Sequence, residues 1–321
     1  MFGIRHLGQA GGQRHRRAGV FSRQARSAVR TVRQPRLLVA TAAFCLVSFL
    51  TIPLSPQLLF STPQPSVNPK ASEVFLNYIR ATDSRNKSEL QRGTGLLWID
   101  RLSEAERKRA YAALAQGSIQ LKQHTSESSR ETECPGCMIH HWEGVVFVPH
   151  AQLNDVLGVL EDYNRHSEYY APDVVRSRID AHEGDRFRVF LRFRRQKVIT
   201  VVLNTEHDIT YFRDSPSQAH SRSSATHIAE IDNPGKPNER EKSREEDNGF
   251  LWGMETWWRM EEKDNGVYVQ SEVVSLTRNI PVGLGWMIGP FVTAVPKESL
   301  TFTLEATRKA VLAQRHANHS R

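Results

Sequence analysis

Cys134 and Cys137 bracket a Pro-Gly pair at a redox spacing, and His140 and His141 follow within four residues. On paper these four side chains could fill a metal site or serve thiol chemistry. Neighbouring residues of a strand point to opposite faces, so His140 and His141 cannot easily join one tetrahedral centre. No helix obviously starts after Cys137, as a thioredoxin-type site requires. A local disulfide or a pair of free thiols fits the pattern better, and neither a metal nor a cofactor is implied.

Glu206, His207 and Asp208 form a second cluster with acid–base residue types. In a strand the two carboxylates would share one face and His207 the other, which also suits a solvated strand end. Arg222, Ser224 and Thr226 alternate further on. An inward Arg222 would pair with Glu206 or Glu272, or hold an anionic head group; an outward one would be an ordinary solvated arginine. The last third is rich in tryptophan: Trp252, Trp257, Trp258 and Trp286. With a period of two, Phe250, Trp252, Met254, Thr256, Trp258 and Met260 share a face, and Trp257 lies opposite. That face can pack a core, line a ligand, or both. Tyr163, His166, Tyr169 and Tyr170 form an aromatic group of their own. Residues 281–294 are apolar, glycine-rich and uncharged, suiting a lid, a membrane contact or a tightly packed helix entry.

The elements that must place these groups can be read from periodicity. Residues 73–92 and 96–116 read as helices, the second opened by a Ser103–Glu106 capping box and ended by Gly117. Residues 139–148 are rich in β-formers, and Leu153, Val156, Leu157 and Leu160 recur at helical spacing. Strand-like runs follow at 173–180, 186–194, 197–206, 208–213, 219–231, 250–262 and 266–277. Asn265-Gly266 predicts a tight hairpin between the last two. Residues 233–249 are densely charged and read as a solvated, mobile loop. A helix of about 20–28 residues is expected to follow Pro281, Gly283 and Gly285, with residues 314–321 frayed. A curved antiparallel sheet cannot close its own concave face; a long helix laid across it closes the face and usually leaves a cavity.

The chain has 321 residues, 39% of them hydrophobic and 24% charged, enough for a core and too mixed for wholesale disorder. Three cysteines exclude a disulfide scaffold. The net charge of +8 suggests nucleic-acid binding until its distribution is seen. Residues 1–36 hold nine arginines and no acid, leaving 34 basic and 35 acidic side chains elsewhere. The basicity belongs to a leader, and no nucleic-acid partner is expected for the folded part. Residues 37–54 are eighteen in number and uncharged, and no charge appears before Lys70. As a helix they would span about 27 Å, close to a bilayer core. The arginines predict that the N-terminus stays inside. We read the segment as a retained signal-anchor with the remaining chain on the non-cytoplasmic side; a cleaved secretory signal and a mitochondrial transit segment also fit. Residues 55–72 are proline-rich and read as an extended linker before a small helical segment and loop over 73–138.

The order strand, helix, six or seven antiparallel strands and a long final helix resembles the START-like, or SRPBCC, superfamily, in particular its membrane-anchored bacterial members. The phrases that carry the resemblance are residues 144–163 (GVVFVPHAQLNDVLGVLEDY), 163–178, 266–278 (GVYVQSEVVSLTR) and 280–308. It covers residues 139–312, about half the chain. It implies an α+β helix-grip fold, a curved antiparallel sheet wrapped around a long C-terminal helix. It further implies a cavity for a hydrophobic small molecule such as a lipid, isoprenoid or polyketide-like compound, and no cofactor. Tyr163, His166, Tyr170, Arg222, Trp252, Trp258, Glu272 and Trp286 are the expected ligand-contacting residues. Binding or transport at the membrane is the expected function. A cyclase- or hydrolase-type enzyme in the same cavity is the alternative if Glu206, Arg222 or Glu272 converge inward, and an envelope interaction module if the interior is packed solid.

Overall fold

A computed structural model describes residues 69–93, 95–124, 134, 136–196, 199–279 and 285–319, with side chains omitted for 285–293, 318 and 319. The membrane segment expected at 37–54 lies outside these residues. No helix among the described residues is long and apolar enough to cross a membrane.

The elements run α1 (Pro69–Arg92), a 3-10 turn (Trp98–Arg101), α2 (Glu104–Ala115), β1 (Gln120–Gln123), β2 (Cys137–Pro149) and α3 (Leu153–Leu160). After a second 3-10 turn (Tyr163–Arg165) come α4 (His166–Tyr169), β3 (Val174–Glu183), β4 (Arg186–Gln196), β5 (Thr200–Ser215) and β6 (Gln218–Asp232). The chain continues through β7 (Arg240–Glu241), β8 (Gly253–Lys263), β9 (Gly266–Arg278) and α5 (Gly285–His319). The strands form one nine-stranded antiparallel sheet in the order β1-β2-β9-β8-β6-β5-β4-β3, with β7 on β6. This is an α+β architecture with a curved sheet and a long C-terminal helix.

Local chemistry explains most of these boundaries. The Ser103 hydroxyl accepts from the Glu106 backbone N–H, and Glu106 accepts in return from Ser103, closing the capping box. In the β8–β9 hairpin Asp264 and Asn265 both have positive φ, 55° and 56°, as a two-residue turn matching the sheet twist requires. Four details differ from the sequence reading. The runs at 197–206 and 208–213 are one strand, β5, whose partner β6 absorbs a bulge at Thr226 without interrupting β5. The charged stretch 233–249 is partly ordered, because Arg240–Glu241 pairs with the end of β6. The final helix is longer than expected, begins at Gly285 and continues to His319. The edge strand β1 was not foreseen; four residues carry little pattern.

Alternation in the central strands divides the molecule into two layers. On one face Val146, Val148, Val267, Val269 and Met260 meet α3 and the Leu300, Leu304 and Val311 stripe of α5. Gly144 permits the close approach of α5: a Cβ there would lie 2.7 Å from Leu304 Cδ1 and 2.8 Å from Leu121 Cδ2. On the other face α1 presents Phe75, Ile79, Thr82 and Asn86, spaced as one helical stripe. Phe75 and Ile79 pack on Cys137, Trp257, Val274 and Leu276.

Beneath α1 lies a buried polar network. Glu272 is 1% exposed and accepts from His141 Nε2 at 2.6 Å, from Asn86 Nδ2 at 3.0 Å, and from Arg85. His141 Nδ1 is 2.8 Å from the Tyr78 hydroxyl. Burial drives the His141 pKa down, so the ring is neutral, donates through Nε2 and accepts from Tyr78. Burial alone would push the Glu272 carboxyl up; the His141 hydrogen bond, Arg85 and Asn86 outweigh it and hold it down at about 2. Arg259, 2% exposed, donates to Leu96 O at 2.9 Å and Glu89 Oε2 at 2.8 Å.

Such a carboxylate stabilises the fold above its unfolded pKa of about 4.3, and that contribution fades as pH falls through the folded value. Glu272→Ala should therefore cost about 3–5 kcal/mol at pH 7, because it leaves a buried network without its central acceptor. Urea unfolding at several pH values checks this: the gap from wild type should narrow at low pH, and a gap below about 1 kcal/mol at pH 7 would contradict it.

Candidate functional site

The residues of the concave face that point at α5 do not all reach it. Between them lies a cavity of about 680 Å³. Its floor is Val273 and Ser271 of β9, Thr256 and Trp258 of β8, Ser221 and Ser223 of β6, and Leu203, His207, Ile209 and Tyr211 of β5; its roof is Leu300, Phe302 and Thr303 of α5. Tyr163, His166, Tyr170 and Val174 close one end, and Asn248 to Leu251 another.

The inner polar groups of this cavity are neutral. His166 Nε2 lies 3.3 Å from Val159 O and 3.2 Å from Leu160 O. Burial pushes its pKa down to about 4 despite both carbonyls. His207 is likewise pushed down to about 4 by burial, with Nε2 at 2.9 Å from Thr205 Oγ1 and Nδ1 at 3.4 Å from Ser223 Oγ. The Tyr163 and Tyr211 hydroxyls are 2.7 Å apart, and Tyr211 also donates to Leu160 O at 3.1 Å. Burial raises both phenols, and raises Tyr170, whose hydroxyl meets Thr307 Oγ1 at 3.0 Å, to about 12. Charge appears at Arg278, whose backbone N–H donates to Gly249 O of the end loop, and where Arg195 binds Asp173 at 2.8 Å and Ser299 Oγ at 2.6 Å, tying β4 and the α4–β3 turn to α5.

Four of the expected contact residues, Tyr163, His166, Tyr170 and Trp258, line this space. Arg222 and Glu272 do not: both occupy the opposite face of the sheet. Arg222 lies 3.4 Å from Glu255 and 3.5 Å from Asp83 of α1, and Glu272 is the centre of the network under that helix. Glu206 sits on the face of β5 opposite His207. The three groups whose convergence would have pointed to acid–base chemistry therefore face away from the cavity. Trp252 precedes the first residue of β8, so strand alternation does not govern it, and it packs on the Phe75–Trp257 cluster. Trp286 falls where side chains are not described. Trp142, Arg195, Ser221, Ser271 and Arg278 are among the lining groups that the sequence did not mark out, and Phe250, on the face it did mark, reaches the cavity from the loop before β8.

Two other clusters carry metal-ligating residue types. Cys134 and Cys137 are joined in a disulfide, and His140 turns to Thr277 Oγ1 at 3.0 Å while His141 turns to Glu272 through the other face. His124, His141 and Glu272 bring ligand atoms within 4.8 Å of one another. Every ring nitrogen there already has a partner: His124 meets Glu143 at 2.9 Å and Arg85 at 3.3 Å, and His141 meets Glu272 and Tyr78. The Arg85 guanidinium supplies the positive charge a cation would bring.

The loop at the cavity's end is held by Glu230, 3% exposed, which accepts from the backbone of Asn248 at 3.0 Å and of Phe250 at 3.2 Å. Lys242 approaches it at 3.3 Å. Burial, and then the Glu230 carboxylate, push the neighbouring Asp247 up to about 7, against the N–H of Gly249 and the Trp252 indole. A raised carboxyl pKa stabilises the folded protein fully below the unfolded value of about 3.9, and the contribution is lost as pH rises through the folded value. Asp247→Asn should remove that loss, giving a melting temperature less dependent on pH between about 4 and 7 and higher than wild type above pH 7. Thermal melts across that range check it; parallel wild-type and variant curves would contradict it.

No protein-family model matches the chain, and neither does any curated protein sequence. Among solved structures the chain is similar to a fragment of a STAR-related lipid transfer protein from Xanthomonas axonopodis, at 18% identity over 60% of this chain and 98% of that one, TM-score 0.39. It is similar to human STARD10 at 10% identity over 68% and 86% of the two chains, TM-score 0.38. It is also similar to the Zhui aromatase/cyclase from Streptomyces sp. R1128 at 15% identity over 54% and 94%, TM-score 0.34. The architecture itself is defined by the strand order and the helix on the concave face.

Proposed function

We propose that this protein binds a hydrophobic small molecule, such as a lipid or isoprenoid, between the concave face of its sheet and α5. The observation that carries the reading is the cavity of about 680 Å³ with its largely apolar walls and neutral inner polar groups. Interiors pack like organic crystals and rarely keep voids much larger than a water molecule. A space of this size, in the range of ligand pockets, suits an occupant, and it disfavours an interaction module with a solid interior. An acyl or polycyclic ligand burying on the order of 400 Å² would gain about 10 kcal/mol from burial before the cost of association.

The second part of the proposal is that residues 37–54 tether this domain to a membrane, with the domain on the non-cytoplasmic side. The uncharged run after an arginine-rich leader supports it. The full chain should then resist alkaline extraction from membranes; release into the soluble fraction would count against the tether and leave the binding reading intact.

Native mass spectrometry with lipid extraction of the purified protein tests the binding itself. The expected result is one hydrophobic molecule per chain. A ligand-free protein that also fails to bind a fluorescent lipid panel would overturn the reading. Thr256→Phe, which points a larger apolar side chain into the floor, should weaken binding by at least tenfold while leaving the melting temperature within a few degrees of wild type. Unchanged affinity would mean that the lipid binds elsewhere.

A further inference from the structure

Strand register places Ser221, Trp258 and Ser271 side by side on β6, β8 and β9, all facing the cavity. Both serines are 1% exposed. Among the described residues each hydroxyl is buried without a hydrogen-bond partner, and so is the indole N–H of Trp142, diagonal to Ser271 on β2. The contrast within β9 is sharp. Glu272, the next residue along, has three side-chain partners on the other face. Buried polar groups in folded proteins are almost always paired, and a cluster of orphans on one cavity wall marks where a partner binds.

The three groups share a chemistry. All are neutral donors, and two are also acceptors. No described cationic side chain is hydrogen-bonded to them: Lys297 lies over the Trp142 ring at 5.9 Å, and the two arginines of the cavity wall face carboxylates, Arg195 at Asp173 and Arg278 by Asp247 and Glu230. The histidine on the same wall, His207, is bonded to Thr205 and Ser223. An ionised head group moved to the serines would lose its hydration and gain no hydrogen-bonded counter-charge there. Two strand spacings separate the serines, about 10 Å, with the Trp258 indole between them. One oxygen atom cannot reach both.

Building on the binding reading above, we propose that the cavity selects hydrophobic molecules with uncharged oxygen functions, hydroxyl or carbonyl. Ser221 and Ser271 would read these oxygens from either side of Trp258, with Trp142 Nε1 assisting at the Ser271 end.

The test uses the full chain stripped of bound lipid and compares dodecan-2-one, n-dodecane and dodecanoate by displacement of a fluorescent probe. Wild type should bind the ketone and the alkane and bind dodecanoate most weakly. The double variant Ser221→Ala/Ser271→Ala should lose about tenfold in affinity for the ketone and little for the alkane. Its melting temperature without ligand should equal or exceed that of wild type, since the substitutions remove unpartnered hydroxyls. Equal losses for ketone and alkane, no loss at all, tight dodecanoate binding that the double substitution weakens, or a lowered melting temperature would overturn the proposal while the cavity-binding reading stands. A wild type that binds neither ketone nor alkane would overturn both.

Discussion

A strand buried on both faces must find partners for every polar side chain it carries, on each side separately. β9 is such a strand, and the rest of the structure is arranged around how it meets that demand. On its outer face Gln270 and Glu272 are fully engaged: Gln270 accepts from the Trp98 backbone at 2.7 Å and donates to Glu143 at 2.8 Å, and Glu272 is held by His141, Asn86 and Arg85. On its inner face, one residue away, Ser271 has no hydrogen-bond partner among the described residues. Most of the charges on β9 and β8 have been gathered behind the sheet, where α1 can neutralise them. The floor of the concave side is left apolar with neutral polar groups, a solvent suited to a greasy molecule with a few uncharged polar atoms, and its charged residues, Arg195, Asp173 and Arg278, stand at the rim.

This division explains why so much of the chain outside the sheet-and-helix unit is committed to it. α1 contributes Arg85 and Asn86 to Glu272, and Asn86 and Glu89 to Arg259. The turn at Trp98 caps Gln270. On the opposite side Gly144 allows Leu300 and Leu304 of α5 to meet β2, and Arg195 fastens the same helix to β4 through Ser299. The helix is thus held at both margins of the sheet with the cavity between.

Part of this was legible in the sequence. The Ser103–Glu106 box and the Leu153–Leu160 stripe are local signals with the geometry their spacing implies, and the hairpin marked by Asn265-Gly266 forms there with its two-residue turn one position earlier, at Asp264-Asn265. The aromatic group of Tyr163, His166 and Tyr170 was found because it is contiguous. Arg222 and Glu272 were misplaced for a definite reason. A period of two says which residues share a face and is silent on which face is concave, and β9, buried on both sides with polar residues on each, offers no solvated flank to break the tie. The network under α1 joins residues 131 to 187 apart in the chain, as Glu272 does with His141 and Arg85, so no window of sequence contains it. Ser221 and Ser271 read as ordinary strand serines until their burial is known.

The measurement that bears most directly on the central claim is a crystal structure with a brominated fatty alcohol, located by the anomalous signal of bromine. The account predicts bromine between the sheet and α5, near Leu203 and Phe302, with the ligand hydroxyl within hydrogen-bond distance of Ser221 or Ser271. Bromine found only on the outer surface, with the space beneath α5 collapsed by inward side chains, would contradict it.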